Sequence, residues 1–225
     1  MKTRLYIWVT SNCNLACPYC IQEPVMAANR GYQMSIDEVF NIVQSCQARG
    51  LHFNTIELTG GEASMWKYLE EGVILFSRIC DNVTLATNGN NPERILALGL
   101  KTWIVSASQA TPEQLKKYQG VLKNLTVNKH SHKKMPTSPI PNTLPSICCT
   151  VVDPITKGAQ RAIEYIRGTI WICPDACSHV TRLGLDPNLY SCSFEEDFLT
   201  RFDDSKNSQE ICQYCLGNQK VWNKI

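Results

Sequence analysis

No stretch of this 225-residue chain approaches the roughly 18 consecutive apolar residues that a membrane-spanning helix needs, and its first ten residues hold too short an apolar run for a secretory signal. Those absences lead to the expectation of a cytoplasmic protein with no membrane partner. Charge is scarce too: 22 Lys and Arg against 20 Asp and Glu leave a net charge of +2, the balance of an ordinary globular protein. With 44% apolar residues the chain can bury a substantial core as one large domain, or as a domain with an appendage. One absence is local. Between Glu113 and Asp153 there is no acidic residue, whereas Lys116, Lys117, Lys123, Lys129, Lys133 and Lys134 fall there with His130 and His132. Such a stretch suits the phosphates of a nucleotide or a nucleic acid, although no aromatic stacking pattern accompanies it. The plain alternative is solvated surface.

Cysteine, by contrast, is abundant. Twelve are present, and with no export signal they point to metal or redox chemistry rather than to disulfides. Cys13, Cys17 and Cys20 form a CxxxCxxC motif directly after the short strand-like segment Leu5 to Val9. Three thiolates can hold three irons of a 4Fe–4S cluster and leave the fourth open to a ligand that is not protein. A zinc finger or ribbon needs four ligands, usually as two separated pairs, and a thioredoxin-type site needs only CxxC near a helix start. Leu15 and Tyr19, set among the thiols, would shield a cluster and flank whatever binds the open iron.

Alternating strand and helix signals run through the chain. Strands are expected at Arg4–Thr10, Asn54–Thr59, Asn82–Thr87, Thr102–Ser106, Leu125–Asn128 and Ile147–Val152. Ser35 with Glu38 makes a capping box before Val39, Phe40, Ile42 and Val43, with Gly50 as the stop, and Thr111, Pro112 and Gln114 repeat that logic before Leu115 and Gly120. Met65–Ile79 and Ala159–Ile166 carry helical periodicity. Alternation of this kind argues for an α/β fold with a parallel sheet and a ligand site at the strands' carboxyl ends. Lys129 to Pro145, with its four prolines, reads as an irregular loop.

The cysteine segment resembles the signature of the radical S-adenosylmethionine (SAM) superfamily, in which the aromatic before the last cysteine, here Tyr19, lies by the adenine. Thr59-Gly60-Gly61-Glu62 follows Ile56 to Leu58 and resembles that family's Gly-Gly-Glu motif, which binds the amino group of SAM. Two glycines let a backbone approach a ligand closely, and Glu62 supplies a charge-assisted acceptor for an ammonium. The resemblance implies a partial (β/α)6 barrel, for which six strands is the expected number. It also implies that Thr87, Asn88, Ser106 and Ser108, at later strand ends, contact the carboxylate and ribose of SAM. The bland reading of these four is that Asn-Gly is a good turn and that serines commonly end strands.

A second cysteine group follows. Cys177 and Cys192 bracket Pro187 with nine and four residues between, and Cys212-Gln213-Tyr214-Cys215 adds a CxxC. Asp186-Pro187-Asn188 reads as a tight turn between Val180–Leu185 and Leu189–Ser191. Together these resemble the twitch domain, a shortened SPASM domain that holds one auxiliary 4Fe–4S cluster through four cysteines. Cys173 fits the first-ligand spacing as an alternative to Cys177, and a four-cysteine zinc knuckle is the alternative for the whole group. Cys46, Cys80, Cys148 and Cys149 read as small core residues.

The resulting expectation is a partial radical SAM barrel over residues 1–170 with a small cysteine-rich β-hairpin and helix extension, a twitch-like domain, over 171–225. Its cofactors would be a SAM-binding 4Fe–4S cluster, a second auxiliary cluster and SAM itself. As an oxygen-sensitive enzyme it would draw electrons from a flavodoxin or ferredoxin and cleave SAM to a 5′-deoxyadenosyl radical. That radical would abstract hydrogen from a peptide or small molecule, or, as the alternative, from a nucleotide or nucleic-acid base. The non-enzymatic alternative is an iron–sulfur or zinc structural protein.

Overall fold

A computed structural model describes residues 3–17, 20, 22–99, 112–118, 150–152, 159–173 and 176–201. Its first strand, β1 (Thr3–Thr10), is rich in β-branched and aromatic residues and lies inside one sheet. On one side it pairs in parallel with β2 (Phe53–Gly60), which pairs in parallel with β3 (Cys80–Leu85). On the other side it pairs in parallel with β5 (Ala159–Ile166). The far edge of β5 carries two antiparallel partners, β4 (Thr150–Val152) and β6 (Thr169–Trp171), and β7 (Ser191–Ser193) closes the series antiparallel to β6. The order is therefore β3-β2-β1-β5-β6-β7, a mixed sheet with a parallel block at its centre.

The helices run α1 (Glu23–Ala28), α2 (Ile36–Ala48), α3 (Leu69–Phe76), α4 (Pro92–Ala97), α5 (Pro112–Tyr118), α6 (Ala176–Leu183) and α7 (Phe198–Arg201). The Ser35 side chain accepts from the Glu38 N–H at 3.1 Å, so α2 starts as its sequence indicates, and Gly50 stops it at φ 64°. Only half of the capping box forms. The Glu38 carboxylate instead accepts from the hydroxyls of Tyr32 and Tyr165, each at 3.0 Å, joining α2 to β5. Burial, followed by the charge of Glu38, pushes both phenols above their ordinary range.

Leu5, Ile7, Ile56, Leu58, Val83, Leu85 and Ile163 occupy alternate strand positions and share one apolar core with Val39, Ile42, Val43 and Cys46 of α2 and with Leu69, Val73 and Phe76 of α3. The intervening positions are buried yet polar: Arg4, Thr55, Glu57, Thr84 and Glu164. Arg4 ion-pairs with Glu57, and Thr84 Oγ1 donates to the same carboxylate at 3.4 Å, which links β1, β2 and β3 below the site. Arg49, at the end of α2, donates to the carbonyls of Phe194 and Glu196 at 2.6 and 2.7 Å and lies over the rings of Phe194 and Phe198. It fastens the segment after β7 to the body of the fold.

Three sequence expectations are corrected. Ala159–Ile166 is a strand, not a helix. Residues 162–166 are all buried, and a strand covered on both faces loses its period-2 alternation, so spacing alone cannot tell it from a helix. The long helix expected over Met65–Ile79 is a 3-10 turn at Ala63–Met65 followed by the shorter α3. The hairpin expected around Asp186-Pro187-Asn188 is absent: the turn forms, with Asp186 Oδ1 accepting from the Asn188 N–H at 3.0 Å, but its first arm is α6. Its second arm pairs with β6 through Ile170 and Cys192. The expected strands Thr102–Ser106 and Leu125–Asn128 lie outside the described residues, as do Lys129, Lys133 and Lys134. The division expected at residue 170 falls within β6, and β7 extends the same sheet.

Candidate functional site

Because β1, β2 and β3 are parallel, their carboxyl ends bring three loops to one edge: residues 11–17, 61–65 and 86–90. The first two are strapped together by backbone. The Gly61 N–H donates to the Thr10 carbonyl and the Glu62 N–H to the Asn12 carbonyl, both at 2.7 Å. A Cβ on Gly61 would stand 2.8 Å from the Asn12 carbonyl carbon and 2.9 Å from the Ser11 carbonyl oxygen. One on Gly60, whose φ is +131°, would be driven against Thr10. The glycine pair therefore lets β2 approach the neighbouring chain of β1 and the start of the cysteine loop, a use that the motif alone does not reveal.

Glu62 is 1% exposed, and its carboxylate is aimed by three donors. Oε1 accepts from the Ser64 N–H at 3.0 Å and from Thr87 Oγ1 at 2.5 Å, and Oε2 accepts from the Asn88 N–H at 2.6 Å. Thr87 Oγ1 accepts in turn from the Gly89 N–H at 3.2 Å. The Asn88 amide is also engaged: Oδ1 accepts from the Asn90 N–H at 3.0 Å, and Nδ2 donates to Asn14 Oδ1 at 2.7 Å. Thr59, the penultimate residue of β2, is buried nearby, and so is the Ser64 hydroxyl, which has no hydrogen-bond partner among the described residues. Asn12, Asn14 and Ser64 were not singled out by the sequence. Only the cross-strand geometry identifies them.

Cys13, Cys17 and Cys20 are all half-buried on the loop that follows β1. The Leu15 N–H donates to Cys13 Sγ at 3.4 Å. Burial raises the Cys13 thiol, the Leu15 N–H opposes that, and the charges of Glu62 and Cys17 raise it further. Cys20 is likewise raised by burial first, with Cys17 and Cys13 adding to it. Neighbouring thiols thus disfavour the ionisation of Cys13 and Cys20. Among the described residues no three His, Cys, Asp or Glu side chains form a group for a single metal ion. A cube distributes its thiolates over separate irons, so it does not require them to meet at one point, and its positive charge relieves their repulsion. The donor set fits a cluster.

Tyr19, Ser106, Ser108, Cys212 and Cys215 lie outside the described residues. Cys177 is buried in the first turn of α6, where burial and then the charge of Glu164 push its thiol up to about 12. Cys192 is buried on β7, and Cys173 is half-buried just before α6. Cys46 and Cys80 are core residues as expected, and burial pushes both up to about 12. In the metal-free chain at pH 8, a maleimide or iodoacetamide should therefore label Cys13, Cys17 and Cys20 well before Cys46, Cys80 and Cys177. The first three lie half-buried on a loop within reach of the reagent, whereas the last three are buried with thiols pushed up to about 12, and the thiolate is the nucleophile. Peptide mass spectrometry of a labelling time course reads the order.

Residues 7–135 match the family model of the Radical SAM superfamily. The chain is 39% identical over 88 residues to the GTP 3′,8-cyclase of Pelotomaculum thermopropionicum, covering 38% of this chain and 26% of that protein. It is 30% identical over 122 residues to the enzyme of the same name from Stenotrophomonas maltophilia strain K279a, covering 52% of this chain and 37% of that protein. It thus spans well under half the length of these curated relatives. Among solved structures, BtrN in complex with AdoMet and 2-DOIA aligns with a TM-score of 0.38 at 17% identity over 56% of each chain. Selenomethionine BtrN in an open conformation aligns with a TM-score of 0.49 at 14% identity over 100% of this chain and 92% of the other. With more than half of its residues inside the family match, the chain belongs to the radical SAM superfamily, whose enzymes use a 4Fe–4S cluster and SAM.

Proposed function

We propose that Cys13, Cys17 and Cys20 hold the 4Fe–4S cluster and that SAM lies at the edge formed by Thr59, Gly60, Gly61 and Glu62, with Thr87 and Asn88 behind and Tyr19, Ser106 and Ser108 around it. Together, the reduced cluster and SAM supply a 5′-deoxyadenosyl radical, which takes a hydrogen atom from the substrate. The chain's own part is to bind, orient and exclude water. The observation that carries this reading is the buried Glu62 carboxylate, fixed by Ser64, Thr87 and Asn88 beside the cysteine loop. A carboxylate has about four acceptor sites. Three are occupied here, which leaves one for an ammonium N–H. Thr87 acts through Glu62, since its proton is already donated to that carboxylate.

A peptide or small molecule is the first substrate class. The relatives named GTP 3′,8-cyclase favour a nucleotide as a second reading, and the lysines between Glu113 and Asp153 suit its phosphates. The partial (β/α)6 barrel over 1–170, the reductant of flavodoxin or ferredoxin type and the cytoplasmic location stay part of the proposal. So does an auxiliary cluster on Cys177 or Cys173 with Cys192, Cys212 and Cys215 in a twitch-like region over 171–225. Anaerobic reconstitution, followed by assay for 5′-deoxyadenosine with GTP, other nucleotides, peptides and small metabolites in turn, tests the whole. Absence of 5′-deoxyadenosine from a fully iron-loaded protein under reducing conditions would sink the reading.

Glu62→Gln carries a sharper expectation. The carboxylate faces only donors, so an amide nitrogen in its place must meet a backbone N–H or the Thr87 hydroxyl head-on. Leaving one such donor unsatisfied should cost about 1–3 kcal/mol. SAM affinity, measured by equilibrium binding, and the urea midpoint should therefore fall together. An affinity loss with an unmoved midpoint would mean that the Ser64, Thr87 and Asn88 contacts do not hold the side chain.

A further inference from the structure

We propose that Asn88 is a positioning residue that locks the cysteine loop to the Glu62 carboxylate, so that the first cluster ligand and the amino-group acceptor keep one fixed relation. This rests on the reading of Cys13 and Glu62 given above. An Asn-Gly turn after a strand needs only its backbone, the left-handed Gly89 at φ 79°, and the Asn88 Oδ1 bond to the Asn90 N–H. Two further contacts are not required by a turn. The Asn88 N–H lies on Glu62 Oε2 at 2.6 Å, and Nδ2 reaches Asn14 Oδ1, 74 positions away in sequence, at 2.7 Å. Asn14 is the neighbour of Cys13 on the cysteine loop.

One residue thus holds the carboxylate through its backbone N–H, and the turn and the cysteine loop through its side-chain amide. No other uncharged side chain of that length offers an acceptor and two donors. On the loop so held, the Leu15 N–H donates to Cys13 Sγ at 3.4 Å, and donors to cluster sulfurs stabilise the reduced, more anionic state and raise the reduction potential. The lock should therefore be visible in the cluster's redox behaviour as well as in SAM binding.

The test uses the full chain, reconstituted anaerobically, as parental protein, Asn88→Ser, Asn14→Ala and the double variant. Iron content is measured, and the cluster midpoint is read by an EPR-monitored redox titration with and without SAM. Asn88→Ser keeps an acceptor for the Asn90 N–H and the backbone bond to Glu62, but its shorter hydroxyl no longer reaches Asn14. It should hold parental iron while reduction becomes about tenfold less favourable, which is about 59 mV for a one-electron couple, and SAM should perturb the EPR signal less. Asn14→Ala should move the midpoint in the same direction, and the double variant no further than Asn88→Ser, because the two residues share one bond. Parental midpoint and SAM response in an iron-loaded Asn88→Ser protein would overturn the inference, as would shifts that add. Should Asn88→Ser lose iron, Asn14→Ala decides: a lowered midpoint supports the lock and a parental one removes it. A parental chain that takes up no cluster on Cys13, Cys17 and Cys20 refutes the underlying reading as well.

Discussion

Gly61→Ala should abolish SAM cleavage while leaving the sheet folded. The new Cβ would stand 2.8 Å from the Asn12 carbonyl carbon and 2.9 Å from the Ser11 carbonyl oxygen, so it meets backbone on the cysteine-loop side. Backbone cannot turn aside as the end of a flexible side chain can. β2 and the cysteine loop must therefore part, and the Gly61-to-Thr10 and Glu62-to-Asn12 hydrogen bonds go with that separation. Overpacking costs about 1–3 kcal/mol and each lost hydrogen bond about 1 kcal/mol. A misplacement worth about 3 kcal/mol at the site is more than a hundredfold in rate. Gly50→Ala is the matched control: its φ is +64° and nothing lies within 4 Å of the added Cβ. It should cost about 1 kcal/mol of stability with iron content and SAM cleavage intact. Parental iron and SAM affinity in Gly61→Ala would show that the strap between the two loops is dispensable.

Changing Cys13, Cys17 and Cys20 together to alanine should eliminate 5′-deoxyadenosine formation and remove about four irons, one cube. The three thiols are half-buried on a loop, whereas the core is built from the sheet and from α2 and α3. Circular dichroism and the urea midpoint of the metal-free variant should therefore stay near those of the metal-free parent. The same measurement decides the second group. A parental value near eight irons that falls to about four supports an auxiliary cluster on the C-terminal cysteines. A parental value near four, with zinc present, assigns those cysteines to a zinc knuckle and leaves the radical chemistry standing. Retention of SAM cleavage by the triple variant would refute the cluster assignment outright.

Much of the α/β character was legible in the sequence because it is encoded locally. Ser35, Glu38 and Gly50 mark α2, and β-branched runs mark β1, β2 and β3 within two residues of where they lie. The strand β5 escaped because its burial on both faces erases alternation. The arm before Asp186 escaped because a short amphipathic segment beside a turn fits a helix or a strand equally well until its neighbours are known.

The candidate site divides along the same line. Spacing along the chain, by itself, determined the cysteine triple and the Gly-Gly-Glu turn, because ligand types at fixed short separations are a property of covalent sequence. Only the tertiary structure decided how those pieces are used. The glycines serve a backbone contact with Thr10 and Asn12. Glu62 is aimed by residues from two loops, and Asn88 meets Asn14 across 74 positions. Those contacts depend on the parallel register of β1, β2 and β3. Register is set by packing summed over whole strands, so no local pattern at the loops carries it.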